Sequence, residues 1–168
     1  MIVPTLTDVV HTVSSAIEAV IAPKLEGLRE RSTITTIRHL LRLVEHGIEG
    51  EGQVLYDELS RLKGLLSNVA DVFDARLELR GLAAAIRASL AIERDPSVYP
   101  SISILAQEVG RLRGHVCDAL TALRGLPASA QGSATQAAHQ QLRDYIRWQL
   151  EQEARIIEPS FRGHGARR

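Results

Sequence analysis

Two histidines and a glutamate in the second expected helix are the residues of this chain whose types could do chemistry together. His39 and His46 are seven positions apart, and Glu49 follows three positions later. At about 100° per residue, the three lie on one side of a helix, within about 80° of one another. Imidazole and carboxylate groups bind metals and transfer protons, so the spacing allows a metal site or an acid–base cluster.

No complete motif supports that cluster. None of the six histidines has a Glu three positions before it, as the Glu-x-x-His motif of di-iron bundles requires, and the HExxH spacing of zinc proteases is absent. The alternative interpretation is a polar rim that hydrogen-bonds to arginine or water. The cofactor is therefore unknown, and the sequence leaves enzyme activity undecided while favouring a non-catalytic protein.

The single cysteine, Cys117, excludes an internal disulfide and indicates a reducing compartment. His115 is two positions away, which turns the two side chains about 200° apart on a helix, so a Cys–His nucleophile pair would need another histidine. We expect Cys117 to be a small buried thiol. The glycine-rich stretch 47–52 is not a phosphate loop, because it lacks the Gly-Lys-Ser/Thr ending and a preceding strand.

The last expected helix carries a dense pattern of charges around the only tryptophan. Arg143, Arg147 and Glu151 follow at four-residue steps, and Trp148 lies beside them. The order Arg147 then Glu151 is the weaker orientation for such a pair, so helix stability explains the pattern poorly. Arg and Trp are enriched at interface centres, and these four residues are therefore a candidate partner-binding surface. The alternatives are a solvated face and burial of Trp148 within the monomer.

Apolar residues at helical spacing must position these groups, and they predict an all-α fold. We expect an up-and-down bundle of about five or six helices, with no strand. One domain should cover residues 1–161, followed by a flexible tail at 162–168. The clearest stripe steps four, three, four, three and four residues through Leu55, Leu59, Leu62, Leu66, Val69 and Phe73.

Caps, glycines and prolines predict where the first helices begin and end. Thr5 with Asp8 resembles a capping box, and Pro23 should kink or end the first helix. The second should begin near residues 32–33 and run to about residue 47. The glycines of stretch 47–52 each cost about 1 kcal/mol in a helix interior, which predicts a break or distorted turn there. A third helix should then run to at least residue 66, with a stop or a new N-cap at 67–68.

Similar signals divide the second half of the chain. Pro96–Pro100 predicts a loop. A helix capped by Ser101 or Ser103 should end at Gly125. The last helix should begin near residues 133–135 and end at Pro159.

Composition excludes several classes of function. The formal net charge is +0 and aromatic residues make up 4%, which argues against a nucleic-acid partner. No apolar run approaches the length of a membrane span, so no membrane partner is expected. The opening MIVPTLTDVV has no basic segment before its apolar residues, so we expect a cytoplasmic protein.

Three segments carry a resemblance: TLTDVVHTVSSAIEAVIAPKLEG, EGEGQVLYDELSRLKGLL and LRDYIRWQLEQEARIIEPSF. Together they resemble small uncharacterised helical proteins of bacteria that occur beside acyl-CoA dehydrogenase-like and phosphotransferase-like enzymes. The resemblance implies a bacterial origin and an accessory place in acyl-thioester metabolism. It assigns no role to any residue.

These patterns lead to two hypotheses about function. The first is a non-catalytic accessory or interaction protein that self-associates, as a homodimer, and that could also bind a protein partner. The second is a bundle that binds a metal through His39, His46 and Glu49, or a small apolar ligand such as an acyl chain between its aliphatic helices.

Overall fold

The computed structural model describes residues 4–92, 100–127 and 132–161. Five α-helices follow in order, and no strand occurs in these ranges. The expected all-α helical bundle is thus confirmed. The helices are α1 (Leu6–Ala16), α2 (Leu28–Asp74), α3 (Arg80–Leu90), α4 (Ile102–Gly125) and α5 (Ser133–Phe161); a π-helical turn (Ile17–Ile21) and a 3-10 turn (Ala22–Lys24) follow α1, and a 3-10 turn (Leu77–Leu79) precedes α3.

The expected capping box is present at the start of α1. The Asp8 amide donates to Thr5 Oγ1 at 3.1 Å, and the Thr5 amide donates to Asp8 Oδ2 at 2.8 Å. Hydrogen bonds from Thr5 lower the pKa of the Asp8 carboxyl, because they stabilise its charged form. Helical structure ends one residue after Pro23, at Lys24, as its missing backbone donor predicts.

The break expected at residues 47–52 was wrong, because α2 is one continuous helix of 47 residues. The stop expected at 67–68 was also wrong. Val69, Ala70 and Phe73 are fully buried, and continuing the helix is what places them in the core. Each glycine in the helix costs about 1 kcal/mol, which is small compared with the free energy gained by burying an apolar stripe of this length. The helix also begins earlier than expected, at Leu28, where the Gly27 amide donates to Glu30 Oε2 at 3.1 Å.

The caps of the later helices match the sequence more closely. The Ile104 amide donates to Ser101 Oγ at 3.3 Å, and α4 ends at Gly125 as expected. Helix α5 runs two residues past Pro159, because a proline in the last turn removes only one backbone hydrogen bond. The expected loop at Pro96–Pro100 lies outside the described residues except for Pro100, and the expected tail at 162–168 lies wholly outside them.

The chain divides into two compact units. Unit A, as we name it, comprises the residues up to 52 together with those after 150, and unit B comprises residues 53–150. The expectation of a single domain over 1–161 stays a prediction. Among the described helices, none is both long enough and apolar enough to cross a membrane.

Unit B contains the hydrophobic core. Side chains from α2, α3, α4 and α5 meet there, and most are excluded from water. The leucine stripe that the sequence predicts is its α2 contribution. The core residues are Leu55, Leu59, Leu62, Leu66, Val69, Ala70, Phe73, Leu79, Ala83, Ile86, Leu105, Val109, Leu112, Val116, Ala119, Leu123, Leu126, Ala138, Leu142 and Tyr145.

Unit A is built differently. Ser160 is its one buried residue among those the structure describes, and no apolar side chain of its described part is fully enclosed. Its exposed large apolar residues are Leu6, Val9, Val13, Val20, Ile21, Leu28, Leu40, Val44, Ile48, Ile157 and Phe161.

Candidate functional site

A buried carboxylate of unit B is hydrogen-bonded by side chains from two other helices. Glu58 of α2 is 1% exposed. Arg113 of α4 approaches it with both arms of its guanidinium, Nε at 2.6 Å from Oε1 and Nη2 at 2.8 Å from Oε2. Tyr145 of α5 donates its hydroxyl to the same Oε1 at 2.5 Å. One carboxylate thereby ties three helices together.

The electrostatics of this cluster follow from burial and proximity. The pKa of Arg113 is raised, chiefly by its hydrogen bonds to Glu58. The pKa of Tyr145 is also raised, first because the phenol is buried and second because Glu58 accepts its proton in a hydrogen bond. Glu58 therefore accepts three hydrogen bonds from protein groups. Such a satisfied carboxylate fixes the alignment of helices and is poorly suited to proton transfer with a substrate.

Sequence reasoning missed this cluster, although one signal was present. Glu58 lies three positions after Leu55 and four before Leu62, within the stripe that faces the core. A carboxylate at such a position must find partners or destabilise the fold. A second carboxylate of the same unit, Glu108, is 8% exposed and lies 3.2 Å from Lys63 Nζ.

The structure does not assemble the expected metal ligands into one site. His39 is half-buried, and its ring packs against that of Phe161 in a T-shaped arrangement, with centroids 5.3 Å apart. His46 is half-buried as well, whereas Glu49 is exposed. No group of three or more His, Cys, Asp or Glu side chains within the described ranges is placed to hold a metal ion. Binding of a metal by these residues stays a prediction.

The four expected partner-binding residues lie in different structural environments. Arg143 and Arg147 are exposed on α5, where Arg147 Nη1 lies 2.9 Å from Asp144 Oδ1. Trp148 is half-buried and packs against the core, with the Arg61 guanidinium carbon 4.9 Å from its ring centre. Glu151 is exposed and belongs to unit A.

Arg143 and Arg147 line an open groove on unit B between α4 and α5. The groove has a volume of about 600 Å³. It combines four basic side chains with three aliphatic ones, a lining suited to a partner that is both acidic and apolar. Its lining residues are Leu120, Arg124, His139, Arg143, Ile146, Arg147 and Leu150.

A serine, a histidine and an aspartate also lie near one another in unit B. Ser89 Oγ is 2.7 Å from His115 Nε2, a hydrogen bond that links α3 to α4. Asp118 Oδ2 is 3.9 Å from His115 Nδ1, too far for a hydrogen bond, and that side chain is 64% exposed. The carboxylate therefore does not orient the imidazole as a catalytic triad requires.

Cys117 is exposed on α4, so the expectation of a buried thiol was wrong. The helix turns Val116 and Ala119 into the core, and residue 117 consequently faces away from it.

Comparison of the chain with protein-family models, curated proteins and solved structures gave no match.

Proposed function

We propose that this protein is a non-catalytic interaction protein that associates with itself. The observation that carries the proposal is the exposed apolar surface of unit A. A folded helical unit that leaves its apolar stripe in water gains free energy when a partner covers that stripe, at about 25 cal/mol per Å². Unit B, in contrast, has buried its own leucine stripe.

The middle of α2 gives the clearest example. Leu40, Val44 and Ile48 follow at four-residue steps, and they are 53%, 49% and 36% exposed. A stripe of this spacing is the pattern by which amphipathic helices bind to other helices or enter grooves. It supports association through helix packing rather than binding of a small polar ligand.

The polar clusters support a non-catalytic role. The Glu58 carboxylate accepts hydrogen bonds from Arg113 and Tyr145, and within the described ranges the Ser89–His115 pair has no orienting carboxylate within hydrogen-bonding distance. Each cluster joins helices within unit B. We assign these residues to the stability of the fold.

The proposal also includes the source and the cellular compartment of the protein. The resemblance to small helical proteins of bacteria supports a bacterial protein with an accessory place in acyl-thioester metabolism. An exposed single thiol, Cys117, fits the reducing cytoplasm, where such groups remain unpaired.

The mass of the protein in solution tests self-association. Light scattering on the purified full chain from about 1 to 100 µM, a range in which common protein affinities are resolved, should give twice the chain mass of 18.4 kDa. Val44→Lys combined with Ile48→Lys should lower the mass to that of one chain. Leu77→Lys is the surface control, because Leu77 is 78% exposed in unit B and should tolerate a charge without a change in mass. A mass of 18.4 kDa for the wild type throughout this range would reject self-association.

A further inference from the structure

The basic side chains of the α4/α5 groove form a row. His139, Arg143 and Arg147 follow one another at four-residue steps on α5, and Arg124 stands on α4. At 1.5 Å per residue, the row is about 12 Å long. Neither Arg124 nor Arg143 makes an ion pair with any residue that the structure describes. The guanidinium groups of Arg124 and Arg143 are therefore available to an incoming anionic group, whereas Arg147 lies 2.9 Å from Asp144 Oδ1.

The length of the row indicates what kind of anion fits. A fatty acid brings one carboxylate and would meet one or two of these cations. A helix that carries carboxylates four residues apart would meet successive members of the row, because such side chains are about 6 Å apart. Leu120, Ile146 and Leu150 supply the apolar part of the groove, and Leu150 is 59% exposed. The groove thus suits an amphipathic helix with an acidic edge.

The chain itself contains such a helix. Glu45 and Glu49 are four residues apart on α2, and Glu51 follows them. They adjoin the exposed stripe that contains Val44 and Ile48. None of the three carboxylates forms a salt bridge within the described part of the chain. Among the described residues, this stretch of helix therefore combines an acidic edge without ion pairs and an apolar stripe that is partly exposed.

We infer that the α4/α5 groove of one copy binds the 44–51 stretch of α2 in a second copy. The inference rests on the proposed self-association and names the two surfaces that meet. Arg143 and Arg147 would face Glu45 and Glu49, while Val44 and Ile48 cover Leu150 and its aliphatic neighbours. Because the two surfaces differ, a closed dimer fills both grooves only if the groove of each copy binds the α2 stretch of the other.

Charge reversal tests this pairing directly in the full-length chain. Arg143→Glu with Arg147→Glu gives an acidic groove, and Glu45→Arg with Glu49→Arg gives a basic α2 edge. Each double variant alone places like charges opposite each other, so its mass should fall to 18.4 kDa. An equimolar mixture of the two variants restores opposite charges at both contacts. The mixture should therefore regain twice that mass.

The control carries two matched reversals elsewhere. Lys24→Glu with Arg29→Glu alters two exposed residues that belong to neither surface and should leave the mass of the wild type unchanged. Circular dichroism spectra of all variants should match the wild type, which separates loss of association from loss of fold.

The outcomes distinguish this inference from the proposed function. A monomeric wild type rejects self-association and this contact with it. A dimeric wild type whose two charge-reversal variants also stay dimeric rejects the contact but leaves self-association standing. Monomeric variants that fail to recombine in the mixture also overturn the pairing. If the groove instead binds a fluorescent fatty acid while both variants remain dimeric, a small anionic amphiphile is its occupant.

Discussion

Glu58 and Tyr145 lie 87 residues apart in the chain, and the Tyr145 hydroxyl donates a hydrogen bond of 2.5 Å to Glu58 Oε1. Both side chains are almost fully buried, at 1% and 2% exposure. Because a carboxylate enclosed in an apolar core is costly without partners, this contact and the paired arms of Arg113 must form together when α2, α4 and α5 dock. The cluster therefore favours one alignment of these helices over others that would bury the same leucines.

Removal of the carboxylate should destabilise the fold. Glu58→Ala leaves the Arg113 guanidinium and the Tyr145 hydroxyl without their acceptor, and we expect the free energy of unfolding to fall by about 3 kcal/mol. Arg113 is 35% exposed, so water can partly solvate it and keep the loss at the lower end of the range for buried pairs. Urea denaturation measures the change. Glu78→Ala, at an exposed position, should change the same free energy by less than about 0.5 kcal/mol. Equal losses in the two variants would contradict a special role for Glu58.

Because of Tyr145, the free energy of unfolding should depend on pH in the alkaline range. Its pKa is raised above the ordinary value of 10.0 by burial and by Glu58. Below that value the phenol is protonated in both states, and the pH has no effect through this group. Above it the unfolded chain releases the proton while the folded chain keeps it, so the free energy of unfolding should fall by about 1.4 kcal/mol per pH unit.

Tyr145→Phe isolates that contribution. The variant should be less stable near neutral pH by about 1.5 kcal/mol, because a hydrogen bond to a charged group is lost. The difference from the wild type should shrink as the pH rises above about 10. Urea denaturation from pH 8 to 11 measures both effects. Parallel stability curves for the two proteins across that range would show that Tyr145 does not titrate differently in the folded state.

The fold was predictable where apolar spacing decided it. Leu59, Leu62 and Leu66 are buried on the face that the four–three alternation predicts, because side chains at those steps share one side of a helix. The continuity of α2 through residues 47–52 was not predictable, since glycine propensity describes an isolated segment. A local window also does not contain the burial of Leu55 and Leu59, which follow the glycines on the same helix.

The candidate site could be predicted from the sequence less well than the fold. Pairing of Glu58 with Arg113 depends on which helices become neighbours, and their 55-residue separation gives no local sign of it. The groove is similar: Arg143 and Arg147 are visible as a charge pattern, but Leu120 and Arg124 join them only through the packing of α4 on α5.

Alanine at the central glycines should test the continuity of α2. A Cβ at Gly47 would have Glu51 Oε2 as its nearest neighbour at 3.8 Å, and one at Gly50 would have Ile156 Cγ1 at 3.9 Å. Both are ordinary contacts, so Gly47→Ala and Gly50→Ala should each stabilise the helix by about 0.5–1 kcal/mol. Slower amide hydrogen exchange at residues 44–52 would register the gain.

Gly27→Ala is the contrasting variant for this series. Its Cβ would lie 2.9 Å from Glu30 Oε2, so that carboxylate must move and the substitution should bring no gain. Faster exchange in Gly47→Ala than in the wild type would contradict a continuous helix, because only a non-helical glycine loses stability on replacement.

Metal titration addresses the histidines of α2. Because His39 packs on Phe161 and is not gathered with His46 and Glu49 into a ligand group, we expect Zn²⁺ calorimetry to give the same weak heats for the wild type and for His39→Ala with His46→Ala. His11→Ala with His139→Ala serves as a control that removes the same number of imidazoles. A one-to-one binding isotherm that the His39/His46 variant alone abolishes would establish the metal site instead.

Cys117 provides a direct chemical test of the surface of α4. Since the thiol is exposed, one equivalent should react with Ellman's reagent in the native protein, at a rate within about tenfold of that in urea. A thiol enclosed in the core would react only after opening of the fold, at a rate that rises with denaturant. Addition of urea below the unfolding midpoint separates the two cases. A native rate that climbs steeply with urea would place Cys117 inside the bundle, and a flat dependence would place it on the surface of α4.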